Sequence, residues 1–288
     1  MNHIQIDCTK PSLKYKTYSF VIKHSAKIIE SRKLQLARFV YRFKPTNRMN
    51  NVIKQKVTDV NTYIFNEKGT FAIVFLHGGA YMNKAIKHHY LFANKLAQTL
   101  NAKVYFPLYP LLESGGNATV CNEKMKEFVE ALPEQNIILA GDSAGGGLSL
   151  SMTHNLQENN ITKVSKVVAI CPWLDVSMTN EKINEIVPND VMLNKNELQQ
   201  IGKLWMSNLE ALHPLHSPLY ANLNKELPIL IISGSNDILN PDTQLFCQKN
   251  SENNIVWYEF LGMHHDFVLF NTKESRLAFE KIKEFILE

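Results

Sequence analysis

Read for polarity alone, the chain changes character near residue 71. From there on, short apolar and β-branched runs alternate with stretches whose apolar positions recur every three to four residues. The runs are FAIVFLH (71–77), KVYFPLY (103–109), NIILAGD (136–142), KVVAICP (166–172), LPILIISG (227–234) and IVWYEFL (255–261). Their nearly continuous apolar character predicts strands covered on both faces. The stretches between them predict helices near 86–100, 118–131, 145–158, 241–252 and 273–286. Such alternation predicts an α/β fold, a mostly parallel sheet with right-handed crossover helices on both faces. The segment VIKQKVTDVNTYIF (52–65) alternates with period two and predicts an antiparallel hairpin at one sheet edge.

Two stretches break this alternation. One is residues 1–50; the other is 173–226, which separates two predicted strands and is too long for a simple connection. Within the second, Leu198, Ile201, Leu204, Trp205 and Leu209 recur at helical spacing, predicting a helical insertion of the kind that forms a lid over a site. The sheet-forming core is then expected in two parts, 51–172 and 227–288, around that insertion.

Charge adds one feature to this picture. The whole chain carries a formal +4, yet residues 1–50 hold eleven Lys and Arg against Asp7 and Glu30, a local surplus of nine. A solvated helix face is the primary expectation for this segment, and weak contact with an anionic membrane surface the secondary one. No nucleic-acid partner is expected. No apolar run reaches the roughly 18 residues of a membrane span, and the N-terminus lacks a signal-peptide pattern, so a cytoplasmic location is expected. Cys8, Cys121, Cys171 and Cys247 are scattered without a C-x-x-C pair and are expected as free thiols. The sequons at Asn117 and Asn160 would matter only in a secreted chain.

The candidate chemistry begins at ILAGDSAGGG (138–147), where one serine sits among glycines directly after a predicted strand. A strand that turns abruptly into a helix crowds the bend. Gly141, Gly145 and Gly146 remove the Cβ atoms that would collide there, lifting Ser143 clear as a nucleophile elbow. A serine hydroxyl needs a base, a group to orient that base, and donors for an oxyanion. FLHGGAY places Gly78 and Gly79 at the end of an earlier strand, where their N–H groups, with that of Ala144, could receive negative charge. Asp237, just past the strand LPILIISG, supplies an acid, and His264 or His265, after the last strand, supplies the base. The chain order Ser, Asp, His is that of an α/β-hydrolase.

These motifs together resemble the hormone-sensitive-lipase-like, or alpha/beta hydrolase fold-3, family of carboxylesterases. The resemblance covers residue 70 to the end and rests on HGGAY at 77, GDSAGG at 141, CPWLD at 171, SPLY at 217, GSNDIL at 234 and GMHHDF at 262. It implies the α/β-hydrolase fold, with 1–50 and 173–226 forming a cap. The family's G-M-x-H-x-F pattern, laid on Gly262, Met263 and Phe267, selects His265 as the base. The same resemblance implies Ser143 as nucleophile, Asp237 as acid, and Gly78, Gly79 and Ala144 as oxyanion donors. Asp142 and Asp175 receive structural roles, and Tyr81 and Trp173 are expected to line the substrate pocket. Many relatives read D-Y-R-L-A-P-E where this chain has YFPLYPLLESG, which changes the pocket wall near Tyr109.

The function implied is hydrolysis of small-molecule carboxylic esters of short to medium acyl chain through an acyl-enzyme, with no cofactor. An amidase, formamidase or lipid-modifying deacetylase on the same triad is the alternative, and a non-catalytic receptor on this scaffold a weaker one. His88, His89, His213 and His216 form no plausible ligand set, because no carboxylate or cysteine accompanies HPLH at a matching distance, so no metal is expected.

Overall fold

The apolar runs become strands because they can be covered from both sides. In the computed structural model, which describes residues 1–31, 45, 49 and 51–288, every residue of Ala72–Leu76, Ile137–Asp142 and Ile229–Gly234 is buried. In chain order the elements are β1 (Asn2–Asp7), α1 (Leu13–Ser31), β2 (Val52–Val57), β3 (Val60–Phe65), β4 (Ala72–Leu76), α2 (Lys87–Leu100), β5 (Lys103–Pro107), α3 (Ala118–Ala131), β6 (Ile137–Asp142) and α4 (Ala144–Glu158). There follow β7 (Val164–Ile170), α5 (Ile183–Ile186), α6 (Lys195–Met206), β8 (Ile229–Gly234), α7 (Asn240–Lys249), β9 (Ile255–Leu261) and α8 (Lys273–Leu287).

One nine-stranded sheet runs in the order β1-β9-β8-β7-β6-β4-β5-β3-β2. It is parallel from β1 to β5, and the hairpin β2–β3 closes the other edge in antiparallel register. Helices cover both faces. Phe75 and Phe106 of the sheet meet Phe92 of α2 and Phe279 of α8 on one side, while Val74 and Leu139 meet Met125 and Phe128 of α3 and Leu148 of α4 on the other. The α/β architecture read from the alternation, a mostly parallel sheet with helices on both faces, is therefore present.

The first strand departs from the sequence reading. Residues 2–7, counted above within a cap segment, pair in parallel with β9 from Asn2↔Val256 to Asp7↔Leu261. Polar and aromatic side chains hold this mostly exposed edge: His3 stacks on Trp257 at 3.7 Å, and Gln5 donates to Glu259 at 2.8 Å. α1 then crosses toward the last helix, where Ser12 gives both its N–H and its hydroxyl to Glu274, at 2.6 and 2.8 Å. The rest of the cap expectation for 1–50 falls largely on residues 32–44, 46–48 and 50, which lie outside the described residues. Among the described residues no helix is long and apolar enough to cross a membrane.

The insertion 173–226 leaves the sheet at the carboxyl end of β7 and returns into β8, and these two strands pair directly, Val167↔Ile229. It holds α5 and α6. The helix predicted through Leu209 stops at Met206, because Ser207 turns the backbone to φ 53°.

Candidate active site

β6 ends at Asp142 and α4 begins at Ala144, so Ser143 alone makes the turn, with φ 53° and ψ −121°. A β-carbon disfavours this conformation. The neighbours hold it: Ser143 N–H donates to Ile170 O at 2.8 Å, and the Ser143 carbonyl accepts from Gly147 N and Trp173 N at 3.0 and 2.9 Å. The glycines answer to close approach. A Cβ on Gly145 would lie 2.0 Å from Leu76 O of β4, and one on Gly141 would lie 2.4 Å from Gly145 O. At Gly146 the nearest atom would be 3.1 Å away, so the demand there is weaker.

Asp237 follows β8 and His265 follows β9, and both strands deliver them to the same rim of the sheet as Ser143. His265 Nδ1 lies 2.8 Å from Asp237 Oδ2, and its Nε2 lies 2.9 Å from Ser143 Oγ. All three residues are buried, Ser143 being the most accessible at 7%. Burial alone would disfavour charging the imidazole. The carboxylates of Asp237 and Asp266 outweigh it and raise the His265 pKa well above its ordinary value. His264 points elsewhere: its Nδ1 meets His265 O at 2.7 Å, its ring stacks on Tyr15 of α1 at 4.9 Å, and its N–H donates to the Tyr15 hydroxyl at 2.8 Å.

The sequence reading passed over Asp266. Its Oδ2 approaches His265 Nε2 at 3.2 Å, while its Oδ1 is buried without a hydrogen-bond partner among the described residues. Burial raises its pKa to about 6, with His265 pulling the other way. Nothing in GMHHDF distinguishes this side chain from a loop aspartate, and its residue takes a left-handed backbone φ of 51°.

The glycine loop after β4 divides its labour in an unexpected way. Gly78, expected as an oxyanion donor, gives its N–H to Asp142 Oδ2 at 3.0 Å. A Cβ at Gly78 would lie 2.3 Å from that same oxygen. Asp142 Oδ2 also meets His89 Nε2 at 3.1 Å, and His89 Nδ1 accepts from Ile86 N–H at 3.0 Å, which fixes the proton on Nε2. Burial opposes charging of His89, but Asp142 raises its pKa. Asp142 thus ties the loop and α2 to the serine turn, in keeping with its structural assignment. The Gly79 and Ala144 amides have no hydrogen-bond acceptor among the described residues. Behind the loop, the Tyr109 hydroxyl donates to His77 O at 2.6 Å, so the altered segment after β5 braces the loop from the interior.

A cavity of about 260 Å³ reaches Ser143 and His265. Its other walls include Gly79, Asp266, Leu269 and Phe270, with Met192, Leu193 and Leu198 contributed by the insertion. Tyr81 and Trp173 are absent from this lining, which corrects their assignment to substrate contact. Tyr81 is 1% exposed and stacks on Trp205 of α6 at 3.8 Å, and Trp173 stacks behind it at 5.7 Å. These rings pack the insertion onto the core. Asp175 does similar work, accepting from Ser177 N, Ser217 Oγ and Tyr220 OH at 2.8, 3.2 and 3.1 Å. His216 is held by Glu210 O and Ser217 Oγ, and His213 accepts from Leu215 N. Among the described residues, the one group of three donors close enough for a metal is Cys171, Asp237 and His265, within 4.8 Å of one another. An ion there would have to displace the His265–Asp237 hydrogen bond.

Comparison with known proteins agrees with this fold. The pattern of the family described as alpha/beta hydrolase fold matches residues 73–269. The chain is 32% identical to a triacylglycerol lipase of Mycobacterium tuberculosis over 171 residues, 58% of this chain and 35% of that protein. It is 26% identical to an esterase of Acinetobacter venetianus over 225 residues, 75% of this chain and 74% of that one. The match thus spans about a third of the lipase and about three quarters of the esterase. Among solved structures, an esterase from the bacterial hormone-sensitive lipase family superposes with a TM-score of 0.82 at 21% identity, covering 95% of this chain and 97% of that one, a likeness of fold.

Proposed function

Because the chain belongs to the alpha/beta hydrolase fold family, we propose that it is a serine carboxylesterase acting on esters of short to medium acyl chain. The observation that carries this reading is one imidazole shared between Asp237 at 2.8 Å and Ser143 at 2.9 Å. Esterase and lipase names among its relatives support the same bond type.

In this mechanism His265 Nε2 takes the Ser143 proton as Oγ attacks the ester carbonyl carbon. Asp237 orients the ring and stabilises the imidazolium that forms. The N–H groups of Gly79 and Ala144 receive the oxyanion, and Gly78 serves by anchoring the loop to Asp142. His265 returns the proton to the departing alkoxide, which leaves an acyl group on Ser143. Water, deprotonated by the same nitrogen, then releases the acid. The apolar walls at Leu193, Leu198, Leu269 and Phe270 favour an apolar substituent on the ester.

Treatment with a fluorophosphonate, followed by peptide mass analysis, tests the nucleophile, and p-nitrophenyl esters from acetate to decanoate test the chain range. The expected result is one adduct on Ser143, its loss in Ser143→Ala, and highest kcat/KM at short to medium length. An intact enzyme that forms no adduct and shows no burst of p-nitrophenol with any ester would overturn the reading. Parallel assays with the matching anilides separate ester from amide cleavage.

A further inference from the structure

A second cavity, of about 550 Å³, shares His88, Leu269 and Phe270 with the one that reaches Ser143. Its lining includes Lys87 and Lys95 of α2 and Arg276 of α8 and, among the described residues, no Asp or Glu. Residues 51–288 carry five more acidic than basic side chains. Three cations facing one cleft without a carboxylate therefore run against the charge of their surroundings.

None of the three is neutralised by an ion pair with a described residue. The Arg276 guanidinium meets the neutral Asn271 Oδ1 at 3.3 Å, and the Lys95 ammonium lies 3.5 Å from the centre of the Phe279 ring. Burial lowers the Lys95 pKa, Glu280 counters this, and Arg276 lowers it further. Glu280 lies outside the lining and pairs with Lys283 at 3.4 Å. Lys87 opens α2, whose first turn contains no acid, a place where the helix dipole disfavours a cation. Three cations with no carboxylate among the described lining residues make a cleft suited to an anionic group.

We propose that this cleft binds an anionic group, carboxylate or phosphate, borne by the substrate itself at the end remote from the scissile ester. This rests on the esterase reading above. The shared wall gives the route: an apolar chain whose ester lies at Ser143 passes over Leu269 and Phe270 and sets its charge between Lys87, Lys95 and Arg276. The substrate class is then an amphiphilic acid ester rather than a neutral glyceride.

The test compares p-nitrophenyl hemiesters of dicarboxylic acids, over a series of chain lengths, with their methyl-capped counterparts. For the length that spans the wall, kcat/KM should favour the free acid by at least about tenfold, with the preference weakening as salt rises. Lys87→Glu and Arg276→Glu should each collapse the ratio toward one. A p-nitrophenyl alkanoate bearing a phosphonate at its far carbon, compared as a monomer and embedded in phosphatidylcholine vesicles, distinguishes a free anionic ester from one presented by a membrane. Equal kcat/KM for acid and capped ester at every length, or a ratio that the two variants leave intact, would sink the proposal. Titration calorimetry of the free dicarboxylates with Ser143→Ala, and with that variant carrying Arg276→Glu, reads the cleft without turnover. Binding abolished by Arg276→Glu supports it, and no binding to either counts against it. Failure of the wild type to cleave any ester would instead strike the esterase reading.

Discussion

His265 and Asp266 are neighbours in sequence and also face each other across the site, with Asp266 Oδ2 3.2 Å from the imidazole nitrogen that meets Ser143. The ring therefore has a carboxylate at each nitrogen. Both favour the imidazolium, and they hold its pKa well above the ordinary value against the opposing effect of burial. A general base must be neutral to accept a proton, so activity should rise with pH through that raised pKa. Asp266→Asn removes one of the two charges and should move the acidic limb of kcat/KM toward lower pH, increasing relative activity on the acid side. A pH profile with an unmoved acidic limb would show that Asp266 does not act on the base.

The contact between Gly78 and Asp142 makes a different demand. Gly78→Ala would place a methyl carbon 2.3 Å from Asp142 Oδ2 and 3.0 Å from Ser143 Cβ. Relief requires the loop to move, and Gly79 N–H moves with it. The expected cost is about 10²–10³ in kcat, the scale for loss of an oxyanion donor. Comparable inhibition constants for a boronic acid in wild type and variant would contradict this, because that inhibitor reports the tetrahedral geometry directly.

Legibility in the sequence followed burial. β4, β6 and β8 are covered on both faces, so their apolar runs stood out; the candidates Ser143 and Asp237 lie just past β6 and β8, while His265 comes after β9, whose burial is partial and whose run still reads as apolar. β1 escaped because it is an exposed edge held by backbone pairing and by His3 and Gln5, which carry no periodic apolar signal. Gly78 looked like a donor because composition cannot tell which amide a distant carboxylate will claim. Tyr81 and Trp173 were misplaced for a related reason: an aromatic residue beside a catalytic motif is equally suited to a pocket or to packing, and its partner Trp205 lies far along the chain.

The paired histidines yield a clean contrast. His265 touches both Asp237 and Ser143, whereas His264 rests on Tyr15. His265→Ala should lower kcat by about 10⁴ or more. His264→Ala should lower it by less than about tenfold, below the range for loss of a general base. It should also destabilise the fold by about 1–3 kcal/mol through the vacated stack, read from the urea midpoint. Similar kcat losses in the two variants would mean that the base had been misassigned.

The Tyr81 and Trp205 rings, parallel to within 1° and 3.8 Å apart, join the glycine loop after β4 to α6. Trp205 is fully buried, and Leu198 on the same helix lines the cavity at Ser143. Trp205→Ala removes a large side chain from a packed interior, which typically costs about 3–5 kcal/mol. Because the lost ring faces the core, α6 should loosen and carry Leu198 with it, raising KM for the longer acyl chains before kcat falls. Trp205→Phe keeps a ring in the stack and should recover most of both losses. Tyr81→Phe keeps its ring too and should leave the acyl-chain profile as it is, since Tyr81 is a packing residue. A changed chain-length preference in Tyr81→Phe, measured across the p-nitrophenyl series, would return that side chain to the substrate pocket.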